Sequence, residues 1–219
     1  SVSVSGLASF ANALPRIDRI MVNSEWHARE MRKRILALGV GVSTDIHLYP
    51  VALAVAKWRQ RAEAFVERGE KKVRLRFLHC CDSRVRSVAD MLALFPSIRA
   101  LIPGASLAFL TMGHDPLPAE VRQAIDAIEW ASCSTAGDFD EVLRAEVLMY
   151  APTVQDVRHQ PLLEMMLANI LAVVPKRDSL PELVTPDRGI LVDSDAHGRS
   201  IIDIPLLKHV LVDEPSVRL

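Results

Sequence analysis

The chain has 219 residues, half of them apolar, and its 26 basic and 27 acidic side chains leave a formal charge of −1. That length can bury the core of one large domain or two small ones, and that balance gives no global support for nucleic-acid binding, leaving only a local basic patch. Three cysteines, two of them the adjacent Cys80 and Cys81, make no disulfide framework, and no export signal or apolar run of about eighteen residues appears, so a reduced, cytoplasmic chain without a membrane span is expected.

The sequence opens on Ser1 rather than Met, as expected of a processed start or of a piece of a longer protein. Residues 4–14 form a mildly amphipathic segment stopped by Pro15. Residues 18–22 read as a short buried strand. Asn23, Ser24 and Glu25 give an N-cap signal for a helix over 26–38, which Gly39 and Gly41 end, and residues 47–50 read as another short strand. Over 51–68 the pattern is a basic amphipathic helix with Gly69 as its stop. Val51, Leu53, Val55, Trp58, Ala62 and Phe65 recur near helical spacing, with Lys57, Arg59, Arg61 and Arg68 between them. This predicts packing through Trp58 and Phe65 under a solvated charged face, with a peripheral membrane or partner contact as the other use of the basic side. Lys71, Lys72, Arg74 and Arg76 extend the positive patch, and an acidic lipid head group would suit it.

A strand over 73–79 feeds a loop over 80–87 and a helix over 88–95. His79, Cys80, Cys81 and Asp82 form a potential metal cluster by composition only. Adjacent cysteines point to opposite sides of an extended chain, and no second cysteine pair completes a zinc site, so no metal or other cofactor is expected. No His or acid is tied to a cysteine by a recognised local pattern, which also argues against a cysteine nucleophile. A strand over 106–111, a turn at 112–114, a helix over 117–125 with Pro118 near its start, a strand over 127–130 and a helix over 139–145 follow. Trp130 could be a stacking platform for a base, but an aromatic in an apolar strand is the ordinary mark of core. Ser179 and Glu182 bracket a helix start in which Glu182 acts as a cap or meets a ligand. Residues 189–193 make a last strand, and 194–219 read as a helical tail broken by Pro205. Alternating strands and helices from 73 to 192 predict an α/β fold with an open, doubly wound, Rossmann-like parallel sheet.

Residues 147–174 carry the strongest pattern. An apolar strand at 147–150 runs into a polar loop containing Asp156, a helix opens at Pro161 with Glu164 in its first turn, and a second apolar strand at 170–174 closes a βαβ crossover. Unpaired N–H groups and the positive dipole end at the helix start suit a phosphate, and the two carboxylates suit ribose or sugar hydroxyls. A nucleotide-sugar carries both kinds of group. Asp156, seven residues and then Glu164, with Pro161, Leu162 and Leu163 leading into the helix, resemble the signature of retaining glycosyltransferases of the two-domain GT-B fold. These are the glycogen-synthase-like and mannosyltransferase-like group. The run from Asp18 to Pro50 is similar to the end of that family's first domain and the hinge into its second.

The resemblance implies a donor-binding half over 73–193, with 1–50 as a remnant of or hinge from the first domain, 51–72 as the basic helix and 194–219 as a tail. It implies that Arg84 and Arg86 hold the donor diphosphate, that Asp156 meets sugar hydroxyls and that Glu164 meets the ribose. It implies transfer with retention, without a metal, to an acceptor held by a missing domain or a partner chain; no catalytic residue is assigned in this chain. The sequence departs from the family in three places. Asp156 replaces the usual Glu, Cys80 or Cys81 stands in the glycine-rich turn, and Arg158, His159 and Gln160 replace a glycine-containing turn that lets the backbone approach the donor. A non-catalytic, degenerate donor domain serving assembly or regulation is the alternative reading. An unrelated α/β nucleotide-binding protein is a third, which accounts for the sheet but not for the acid spacing.

Overall fold

Side-chain alternation along one strand sets up two apolar layers. In β3 (Arg76–Cys81), Phe77 and His79 face one layer while Leu78 and Cys80 face the other, and all four are buried. The structure is a computed structural model that describes residues 11–39, 45–49, 53–81, 85–111, 117–135, 139–150, 159–186, 188–194 and 200–213, with backbone alone at 81, 85–87, 135, 139 and 200. The chain divides into two compact units, Ser1–Ala52 and Leu53–Leu219.

In the first unit, β1 (Arg19–Val22) pairs in parallel with β2 (Asp45–Leu48), and α1 (Glu25–Ala37) connects them. Ser24 is the N-cap. Its backbone is extended and its Oγ accepts from the His27 N–H at 3.2 Å, while Gly39 leaves the helix with φ +63°. The strand expected to be buried is not. Only Val22 of β1 is shielded and Met21 is 60% exposed, because a two-stranded sheet leaves much of its surface uncovered. Of the amphipathic segment over 4–14, residues 4–10 lie outside the described residues.

The second unit opens with α2 (Val55–Glu67), packed through Trp58 and Phe65 as their helical spacing predicts. It continues with β3, α3 (Val85–Leu101), β4 (Ser106–Thr111), α4 (Ala119–Asp126), β5 (Ala131–Thr135), α5 (Phe139–Arg144), β6 (Val147–Tyr150), α6 (Gln160–Leu167), β7 (Leu171–Pro175), α7 (Leu180–Leu183), β8 (Gly189–Ser194), β9 (Ser200–Ile201) and α8 (Ile204–Lys208). The strands lie in the order β5-β4-β3-β6-β7-β8-β9; the first six are parallel and β9 is antiparallel to β8. Helices α2, α5, α6 and α7 cover one face through Leu143, Leu162, Met165 and Leu180. Helices α3, α4 and α8 cover the other through Phe95, Ile98, Ile125 and Leu207. This is the doubly wound, Rossmann-like α/β fold.

Several boundaries differ from the sequence reading, each for a packing reason. Helix α3 passes the expected end at Phe95 and runs through Pro96, since Ile98 and Ile102 prolong the apolar stripe of Val88, Met91 and Phe95, and all of these are buried. That burial outweighs an internal proline's cost of about 3 kcal/mol. The strand expected over 127–130 begins instead at Ala131. Trp130 stacks on Phe95 with ring centroids 5.1 Å apart and carries the Arg99 guanidinium 5.6 Å from its centre, so it is a packing residue before the strand. Pro205 starts α8 rather than breaking a helix, with the Asp203 carboxylate accepting from the Leu206 N–H at 2.9 Å. Gly189 has no room for a Cβ, which would collide with the Ala172 carbonyl oxygen and Val184 Cγ1.

Two of the four basic residues over 71–76 are held by the fold, while Lys71 and Arg74 stay exposed. Lys72 Nζ donates to the carbonyls of Ala145, Ala168 and Asn169 at 3.1, 3.2 and 2.7 Å, which satisfies the end of α6. Arg76 lies across three strands, donating to Glu141 Oε1 and Ser132 Oγ at 2.7 Å each. The side chains of Arg76 and Glu141 are 16% and 10% exposed, so either one alone would be a shielded, unpaired charge. Arg76→Met should therefore cost about 3 kcal/mol in urea unfolding, and adding Glu141→Leu should recover most of it.

Candidate functional site

The chain leaves β3 toward β4 and β5 on one side, then returns to place β6 on the other side of β3. At such a reversal the connections leaving the two central strands diverge, and a crevice opens at the strands' carboxyl ends. Here β3 ends at Cys81 and α3 begins at Val85; β6 ends at Tyr150 and α6 begins at Gln160. Both helices start at this edge, and their N-terminal N–H groups and dipole ends face outward from the strand ends.

The four residues assigned by resemblance stand as follows. Arg84 and Asp156 lie outside the described residues, in the connections after β3 and β6. Arg86 is the second residue of α3 and not part of a loop, because the strand continues through Cys80 and Cys81 and the helix starts early. Glu164 sits one residue further along the helix than expected, because the helix opens at Gln160. It is the fifth residue of α6, partly exposed, and its Oε1 accepts from Gln160 Nε2 at 2.8 Å.

The candidate metal cluster is split by the sheet. His79 Nδ1 lies 2.9 Å from the Met149 carbonyl oxygen, with the ring edge-on to Phe109, whereas Cys80 Sγ lies on the opposite face 3.4 Å from Met165 Sδ. Among the described residues no group of three or more His, Cys, Asp and Glu side chains could hold a metal ion. Cys133, in the edge strand β5, has its thiol pushed up by burial, the opposite of what a nucleophile needs. Glu182 falls in the first turn of α7 and is exposed. A cavity of about 590 Å³ lined by Arg74, Leu75, Leu101 and Lys208 opens at the amino-terminal end of β3, away from the crevice.

A residue the sequence reading passed over stands at the start of α6. His159 is 4% exposed and has φ +46° and ψ +26°, a left-handed conformation that costs a non-glycine residue about 1 kcal/mol. Its imidazole turns inward, with Nε2 2.9 Å from Ser179 Oγ and Nδ1 3.4 Å from the Tyr150 hydroxyl. The Ser179 hydroxyl makes no cap to α7. The ring of His159 is therefore buried against Tyr150 and Ser179, and the backbone keeps the conformation glycine would favour. The signal was the exchange of a glycine-containing turn for a histidine. Its partners lie nine and twenty residues away, beyond the reach of local pattern.

No protein-family model matches the chain, and no curated protein matches it in sequence. Solved structures match in fold. HepE of Anabaena, in a crystal structure with UDP and glucose, aligns with TM-score 0.67 at 12% identity, over 98% of this chain and 59% of HepE. TarM aligns with TM-score 0.57 at 10% identity, over 95% of this chain and 39% of TarM. These neighbours are GT-B glycosyltransferases, and the chain spans about three-fifths of HepE and two-fifths of TarM. At such identities the likeness establishes the fold. The Rossmann-like α/β architecture matches part of a GT-B glycosyltransferase. No helix among the described residues is long and apolar enough to cross a membrane.

The partly exposed Gln160–Glu164 pair carries little of the fold. Glu164→Ala should change urea-unfolding stability by no more than about 0.5 kcal/mol, which makes it a clean probe of ligand binding.

Proposed function

We propose that this chain binds a nucleotide-sugar donor as part of a retaining GT-B glycosyltransferase, with the acceptor held by another domain or a partner chain. The single observation that carries the reading is the reversal of strand order between β3 and β6. It draws the connection containing Arg84 and the start of α3, and the connection containing Asp156 and the start of α6, to one edge of the sheet. In this reading Arg84 and Arg86 take the diphosphate through forked, charge-assisted hydrogen bonds. As the bond between the sugar and the leaving phosphate breaks, negative charge grows on the phosphate oxygens, and the two guanidiniums and the helix N-termini stabilise it. Asp156 accepts from sugar hydroxyls and so orients the ring, and Glu164 accepts from the ribose.

Retention requires the acceptor oxygen to bond on the face the leaving group vacates, so donor and acceptor must be held together. This chain alone should therefore bind the donor far better than it transfers the sugar. HepE was crystallised with UDP, which makes uracil the first base to try.

Calorimetric titration with UDP, GDP, ADP and their sugar conjugates tests the proposal. One nucleotide should bind in the micromolar range, and Arg86→Ala and Glu164→Ala should each weaken it by about 1 to 3 kcal/mol. Failure of all the nucleotides to bind would overturn donor binding and favour the non-catalytic assembly or regulatory module.

A further inference from the structure

We infer that His159 is a positioning residue for the start of α6, holding the backbone that the donor site uses; this rests on the donor-binding reading above. Three elements meet at its side chain. Tyr150 is the last residue of β6, His159 directly precedes α6 and Ser179 directly precedes α7, so the imidazole joins the ends of two adjacent connections on the crevice side of the sheet. All three side chains are at least 96% shielded, at 4%, 4% and 1% exposure, which leaves them little contact with bulk water. The hydroxyl of Ser179 stands where it would normally cap α7, in a Ser-x-x-Glu arrangement with Glu182, yet it is directed to His159. The carbonyl of His159 then accepts from the Leu163 N–H at 3.1 Å, so the residue whose ring is held also makes the first hydrogen bond of α6.

A glycine in this turn would reach the same left-handed backbone at no steric cost, but would leave it free to depart. Histidine reaches it at a cost and is held there by buried hydrogen bonds. The donor therefore meets a helix start already ordered, and less of its binding free energy is spent on ordering it. The side chain itself touches no donor group in this account. It acts through the backbone of Gln160 to Leu163 and, one turn further on, through Glu164.

The test compares His159→Gly and Ser179→Ala with the natural chain at a temperature where circular dichroism shows all three folded. Two quantities are read: amide hydrogen exchange at Leu163 and the UDP dissociation constant. His159→Gly keeps the backbone conformation accessible and removes the ring. Ser179→Ala removes one ring partner from outside the α6 connection. Both should speed Leu163 exchange by about tenfold or more, and both should weaken UDP by about tenfold, while exchange in the core strands β3 and β4 stays unchanged. A purely structural role would move exchange everywhere or the unfolding midpoint alone. Unchanged Leu163 exchange in both variants overturns the inference, as does faster exchange with UDP affinity intact. If the natural chain binds no nucleotide, the donor reading falls, and Leu163 exchange alone then decides whether His159 holds the turn.

Discussion

The parallel pairing of β3 with β6 is the interaction on which the rest depends. From Phe77 opposite Val147 to Cys80 opposite Tyr150, every residue on both strands is buried. A strand shielded on both faces can satisfy its backbone only through its two neighbours, so β3 is fixed by β4 on one side and β6 on the other. Their parallel sense sends both outgoing connections to the same edge of the sheet. The crevice is a consequence of that hydrogen-bond ladder rather than of any residue that lines it.

Much of this layout was legible because it depends on short-range pattern. The runs Leu107–Leu110 and Val147–Tyr150 are continuous apolar segments of strand length, as strands buried on both faces must be. The Ser24 cap and the Trp58 and Phe65 stripe announce their helices through local chemistry. What escaped is what tertiary packing decides. Edge strand β5 reads Ala-Ser-Cys-Ser-Thr, too polar to advertise a strand, and its apolar neighbour Trp130 belongs to the packing of α3. Cys80 and Cys81 looked like loop residues because they stand where the family has its glycine-rich turn, yet the strand runs through both. Of the candidate site, the apolar strands at 147–150 and 170–174 showed where the crossover lies. The inward turn of His159 depends on the conformation of that one residue, which no periodicity reports.

The polar groups follow one economy. Lys72 is bound to the end of α6, Arg76 to Glu141 and two strands, and Ser179 to His159 rather than to its own helix. Each links elements far apart in sequence, and Arg76 and Ser179 are shielded enough that losing a partner would leave an unmet charge or hydrogen bond. Positive charge that looked available to a lipid surface in the linear sequence is partly consumed by the fold. At the carboxyl edge the same device works on a helix start, fixing a backbone turn through a side chain directed away from it.

The central ladder also sets when the crevice can come into being. His79 and Met149 meet across it although seventy residues separate them, and everything from α3 to α5 lies between. Strands β3, β4 and β5 can assemble in the order they are made, each crossover adding a neighbour on the outer side. β6 cannot, because its place is against the free side of the first strand. Such a distant contact carries a large loop-closure entropy and tends to form late. During synthesis the growing chain therefore presents the exposed flank of β3 to its surroundings until β6 arrives. In those moments it is more at risk of pairing with the wrong strand than at any later time.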